Sequence, residues 1–97
     1  MKLQLHETDL IGRWEDTPRG VVPDTTAQRI DWLIKHHLTE IRTGDWTVLY
    51  RDPGDGRLWE LTYPHGDWHG GGPPRLTCLS LAEAQLRYGD VEDAFGT

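Results

Sequence analysis

Two stretches of the chain alternate apolar and polar residues at period two, with a cluster of turn formers between them. Trp46 to Tyr50 (WTVLY) sets Trp46, Val48 and Tyr50 on one face, and Leu58 to Tyr63 (LWELTY) does the same with Trp59, Leu61 and Tyr63. Asp52 to Gly56 (DPGDG) concentrates residues that suit a reversal: Pro53 presets its own φ, and Asp52 and Asp55 can bond nearby backbone. The pattern predicts an antiparallel hairpin. The segment after Tyr63, PHGDWHGGGPP, holds three consecutive glycines between stiffening prolines at 64, 73 and 74, so it presents backbone at close range. Such a loop suits an anion, a partner surface or a tight crossing of the sheet edge.

Elsewhere the period lengthens to that of a helix. From Asp24 to about Ile41, apolar positions recur at Ile30, Leu33, Ile34, Leu38 and Ile41, with His37 in the same stripe. Thr25 and Gln28 stand in capping-box spacing, Asp24 favours the positive end of the dipole, and Thr43-Gly44-Asp45 supplies a glycine stop. Trp32 points almost opposite Ile30, on the polar face with His36, and either anchors a partner or is covered by the N-terminal segment. Arg75 to Leu79 predicts a third strand, and Ser80 with Glu83 opens a second helix through Ala84 and Tyr88 that Gly89 ends. Before the first helix, Leu3, Leu5 and Leu10 to Trp14 predict one or two short strands. There Gly12 marks a bulge or a close backbone approach, and Thr17 to Gly20 forms a turn before Val21 and Val22. The expected fold is α+β: a small antiparallel sheet of three to five strands packed against one main helix, with a short C-terminal helix. Residues 1–89 make a single domain and residues 90–97 an acidic tail.

Composition narrows the function classes. The 97 residues suffice for one core without disulfides or metal, and the single cysteine, Cys78, has no internal partner, which fits a cytoplasmic setting. No apolar run approaches the length of a membrane span. The net charge of -6, half of it in the tail, disfavours direct nucleic-acid binding and suits a basic protein partner.

Candidate chemistry is sparse. His65, Asp67 and His69 lie close together but on a loop with no fixed face and no Cys cluster, so no metal is expected. Cys78 lies mid-strand beside Leu76 and Leu79, the setting of a small buried hydrophobe rather than a nucleophile. Glu60 with Asp52 or Asp55 has the makings of a hydrolase's carboxylate pair, yet Glu60 on a polar strand face near Arg51 suits an ion pair across the hairpin. Gly70 to Gly72 lacks the lysine and helix of a phosphate loop, and no cofactor is expected. Of five tryptophans, Trp14, Trp46 and Trp59 fit a core, while Trp32 and Trp68 are spare. Spare indoles beside glycine-rich backbone describe a recognition surface better than a catalytic one. A carbohydrate- or peptide-binding module using exposed tryptophans is the rival reading, and a small hydrolase the next.

Several blocks together, RIDWLI at Arg29 to Ile34, LYRDPGDGRLWELTYP at Leu49 to Pro64, HGGGPP at His69 to Pro74 and SLAEAQLRYG at Ser80 to Gly89, resemble the immunity protein 27 family. The chain departs from that pattern at Ala27, where a cysteine is common, and at Gly66-Asp67-Trp68, which bears on partner specificity. The resemblance implies a small bacterial protein that binds and neutralises the C-terminal domain of a cognate polymorphic toxin, often a nuclease, and is not itself an enzyme. The toxin-binding residues expected on this reading are Asp52, Asp55, Asp67, Trp68 and Trp32. Trp59, Glu60, His69, Gly70, Gly71, Gly72, Pro73 and Pro74 then belong to the family motif or hold the loop.

Overall fold

The computed structural model describes residues 2–66 and 72–89. Five antiparallel strands form the main sheet in the order β1 (Asp9–Ile11), β7 (Arg75–Leu79), β6 (Leu58–Thr62), β5 (Val48–Arg51), β4 (Thr39–Thr43). A separate ribbon pairs β2 (Trp14–Thr17) with β3 (Gly20–Pro23) and leads into α1 (Thr25–His36), and α2 (Leu81–Tyr88) follows β7. This is the expected α+β architecture with its main helix and short C-terminal helix. None of the described helices is long and apolar enough to cross a membrane.

The hairpin registers Leu49 with Glu60 and Tyr50 with Trp59, so alternate residues face opposite sides of the sheet. On one side Tyr50, Trp59, Leu61, Leu76 and Leu10 pack under Ile30 and Leu33 of α1. On the other, Leu49, Leu58 and Leu79 pack under Ala84 of α2, with Ile41 and Tyr88 at the margin. The sheet therefore carries a core on each face. The central strand β6 is buried from both sides, which is why LWEL reads as nearly continuous apolar sequence.

Helix α1 starts where the pattern indicates but is capped by Asp24, whose side chain accepts from Ala27 N–H at 2.8 Å; Gln28 Nε2 instead donates to the Pro23 carbonyl. It ends earlier than expected. His37 and Leu38 N–H both converge on the Leu33 carbonyl, and Thr39 to Thr43 leaves as the edge strand β4. Ile41 prolongs the helical stripe only by coincidence, because it belongs to the core on the opposite face. Gly44 accordingly lies in the β4–β5 turn instead of ending a helix. Helix α2 has the expected capping box between Ser80 and Glu83 and ends at Gly89.

The N-terminal segment before β1 is held by two arginines. Arg57 Nη1 donates to the Glu7 carbonyl at 2.6 Å and Nη2 to that of Gln4 at 2.9 Å, while Arg29 binds the Glu7 carboxylate with both terminal nitrogens. The Arg29 hydrogen bonds outweigh the opposing effect of burial and hold the Glu7 carboxyl at about 2, against an ordinary 4.5. A depressed carboxylate contributes its full stability above its unfolded value and loses it as the pH falls toward the folded one. The limit set by that shift is about 3 kcal/mol, and contact with water reduces it to about 1–2 kcal/mol. Urea unfolding at pH 7 and pH 3 should thus show the wild type losing about 1–2 kcal/mol more than Glu7→Gln on acidification. Equal losses would show that the ion pair contributes nothing.

Candidate functional site

The loop from Tyr63 to Pro74 leaves the end of β6 and returns into β7, and two glycines let backbone close on backbone there. Gly12 N–H donates to the Pro74 carbonyl at 2.8 Å, and a Cβ on Gly12 would lie 2.6 Å from the same oxygen. The close approach expected at Gly12 is what forms. Gly72 is buried, and a Cβ there would meet the His65 carbonyl oxygen at 2.4 Å and its carbon at 2.6 Å. The loop's two ends thus meet at His65 and Gly72, and Pro74 is fastened to the residue after β1, through approaches that only glycine allows. On the sheet edge beside it, Arg75 binds Asp9 through two nitrogens and holds that carboxyl below its ordinary value.

Around this closed loop the surface is hollowed and aromatic. A cleft of about 640 Å³ runs between α1 and the loop, with Trp14, Trp32, Tyr63 and Gly72 in its walls. A second hollow of about 490 Å³ is bounded by Trp46, Tyr63, Gly66 and Gly72. Trp32 is half-buried at the margin of the α1 core; its ring stacks on His37 with centroids 6.4 Å apart and leans on His36 at 6.0 Å. It is neither fully covered nor fully free. Trp14 is 38% exposed and Tyr63 48%, while Trp46 stands 94% exposed in the β4–β5 turn.

Trp46 corrects the sequence reading, which set it in the core with Val48 and Tyr50. Strand β5 begins only at Val48, and Trp46 takes φ 60, a left-handed conformation that costs a residue with a Cβ about 1–2 kcal/mol. Period-two alternation extended one residue pair too far into the turn.

The remaining candidates divide between the two ends of β6. Asp52 and Asp55 lie in the turn before that strand and the glycine-proline loop follows it, so roughly 16 Å of strand separates them. Asp52 is only 3% exposed: its Oδ1 accepts from Gly54 N–H at 2.7 Å and lies 2.9 Å from His37 Nε2. Asp55 is partly exposed and grips the Arg57 backbone and guanidinium. Burial raises its carboxyl, but the Arg57 hydrogen bonds prevail and hold it below the ordinary value. Asp67, Trp68, His69, Gly70 and Gly71 lie outside the described residues. Pro73 is buried beside Gly72, and Pro74 half-buried.

Glu60 departs from its expected place on an outer polar face. It is 4% exposed on the α2 side, where Arg87 Nη1 and the Tyr88 hydroxyl both donate to its carboxylate. Tyr88 also shares a 2.7 Å hydrogen bond with Thr47, and burial together with Glu60 pushes its phenol up to about 12. This buried polar knot fastens α2 to the central strand. Burial likewise pushes the Cys78 thiol up, and Trp59 is its cross-strand neighbour, so the sulfur stays protonated at neutral pH. Among the described residues no group of three or more His, Cys, Asp or Glu is arranged to hold a metal ion. What the loop end offers is shaped aromatic area on a rigid frame, suited to recognising another molecule.

Neither the curated proteins nor the solved structures yield a match. The family model described as immunity protein 27 matches residues 16–80, from within the second strand through the last, taking in the buried Trp59 and, of the rings around Gly72, Trp32, Trp46 and Tyr63 but not Trp14. By that match, which spans well over half of its length, the chain belongs to the immunity protein 27 family.

Proposed function

We propose that this chain neutralises the C-terminal domain of a cognate polymorphic toxin by one-to-one binding in the bacterial cytoplasm, and that the toxin is a basic nuclease. Membership of an immunity family supports a toxin partner. The observation that carries the binding mode is the continuous aromatic face around the closed loop, where Trp14, Trp32 and Tyr63 share one cleft. Rigid aromatic rings bury area at small entropic cost, which is what an inhibitor acting without turnover needs. A net charge of -6 speeds encounter with a basic domain and slows encounter with an acidic one.

The contact centres on Trp32 of α1 and takes in Asp67 and Trp68, which belong to the glycine-proline segment of the sequence. Asp52 and Asp55 sit at the far end of β6 with their carboxylates engaged inside the fold, and contribute to long-range attraction rather than to the contact itself.

Titrating this protein into the C-terminal domain of the toxin encoded beside its gene should abolish nuclease activity, with a break at one equivalent. Trp32→Ala should accelerate dissociation about ten- to a hundredfold with little change in association, and Asp67→Lys should slow association and change its salt dependence. Full nuclease activity at several equivalents would overturn the reading. Saturable quenching of indole fluorescence by oligosaccharides in its place would favour a sugar-binding module.

A further inference from the structure

Thr43 and Val48 pair across β4 and β5, and Gly44 N–H donates to the Thr47 carbonyl at 2.8 Å, so Asp45 and Trp46 alone turn the chain. Trp46 is the one non-glycine residue with positive φ among the described residues. Glycine adopts this conformation without steric cost, and the hydrogen bond that closes the turn comes from backbone atoms that need no indole. The isolated fold therefore bears a double cost at this position: a strained backbone, and a large apolar side chain left 94% in water. No contact among the described residues offsets it.

A turn clamped by strand pairing on both sides gives that indole a fixed base, so little further freedom is lost when the ring docks. Its surroundings extend a face already described. Trp46 shares its hollow with Tyr63 and Gly72, and both of these also line the cleft beside Trp32. Two copies of a chain with net charge -6 repel one another, whereas a basic domain is attracted.

We infer that Trp46 is a preformed anchor that inserts into an apolar pocket on the toxin domain, at the far rim of the face that contains Trp32. The inference rests on the reading of this chain as a toxin-binding inhibitor. Backbone strain at Trp46 is the cost of presenting the ring, and burial of the ring in the complex offsets it.

The test uses Trp46→Gly, which removes both ring and strain, and Trp46→Ala, which removes the ring while keeping a Cβ at positive φ. Each is measured against an inactivated C-terminal domain of the toxin encoded beside this gene. Both variants should bind roughly 30-fold or more weakly through faster dissociation. Alone, Trp46→Gly should melt about 4 °C above the wild type, and Trp46→Ala close to it. Binding within about threefold of the wild type, or a lower melting temperature for Trp46→Gly, would overturn the inference while leaving the inhibitor reading intact. A wild-type dimer that Trp46→Gly dissociates would overturn it too. Failure of the wild type itself to bind would remove the inhibitor reading, and this inference with it.

Discussion

Trp59→Ala is expected to lower the free energy of unfolding by about 3–5 kcal/mol, a large part of the roughly 5–15 kcal/mol a domain possesses. Trp59 is fully buried at the centre of β6, the middle strand of the sheet, between Tyr50 and Cys78 on its two neighbours. Removing the indole opens a cavity that three strands and α1 cannot collapse to fill. It also removes the ring over which the Arg57 guanidinium lies, 4.9 Å from the centroid, and Arg57 fastens the N-terminal segment. The melting temperature should drop by about 15–30 °C. Trp59→Phe should behave differently. The indole Nε1–H has no hydrogen-bond partner among the described residues, so phenylalanine relieves a buried donor while giving up some volume, for a net change within about 1.5 kcal/mol. Below its melting temperature, the phenylalanine variant should bind the toxin domain like the wild type, because Trp59 supports the face without reaching it. Comparable destabilisation by both substitutions, in chemical denaturation, would refute the packing argument.

The second large effect falls on the loop. Gly72→Ala puts a methyl group against the His65 carbonyl, and a backbone atom, unlike the tip of a flexible side chain, cannot swing aside. The loop has to reopen. Because Gly72 borders both the cleft beside Trp32 and the hollow beside Trp46, reopening separates the two halves of the aromatic face. Stability should fall by about 1–3 kcal/mol, the usual cost of overpacking, while affinity for the toxin domain falls about a hundredfold. Gly12→Ala, blocked by the Pro74 carbonyl two residues beyond Gly72, should act in the same direction. An unchanged dissociation constant for Gly72→Ala would mean that the closed loop is irrelevant to binding.

Local chemistry made much of this fold legible in the sequence. Five consecutive turn formers and two period-two runs locate the β5–β6 hairpin, and strand β7 spans the residues the pattern marks. The Ser80 and Glu83 capping box forms as read because its bonds join residues three apart. The errors arise where tertiary contacts compete with local pattern. The end of α1 was obscured because Leu38 and Ile41 keep helical spacing although they serve opposite sides of the sheet; alternation in Thr39-Glu-Ile-Arg-Thr43 was the signal that a strand begins there. Glu60 reads as an outer residue because its partners, Arg87 and Tyr88, stand 27 and 28 positions away. Trp46 was hidden by a rule that is usually sound, that an aromatic beside a strand belongs to the core; the strand begins only at Val48, and the turn before it leaves the ring in water. The sequence points to Trp32 and the glycine-proline loop as candidates but cannot reveal that Asp52 is buried, since turn chemistry alone does not say which carboxylate oxygen faces His37.

On the proposed function, recognition occurs at the loop end of the sheet, across one aromatic face. Oxidative footprinting of indole and phenol rings, read by mass spectrometry on the free protein and on its one-to-one complex with the toxin domain, tests this most directly. Protection concentrated at Trp14, Trp32, Trp46 and Tyr63, with Trp59 silent in both states, is the predicted result. Rings at the loop end that stay as reactive in the complex as in the free protein would contradict it.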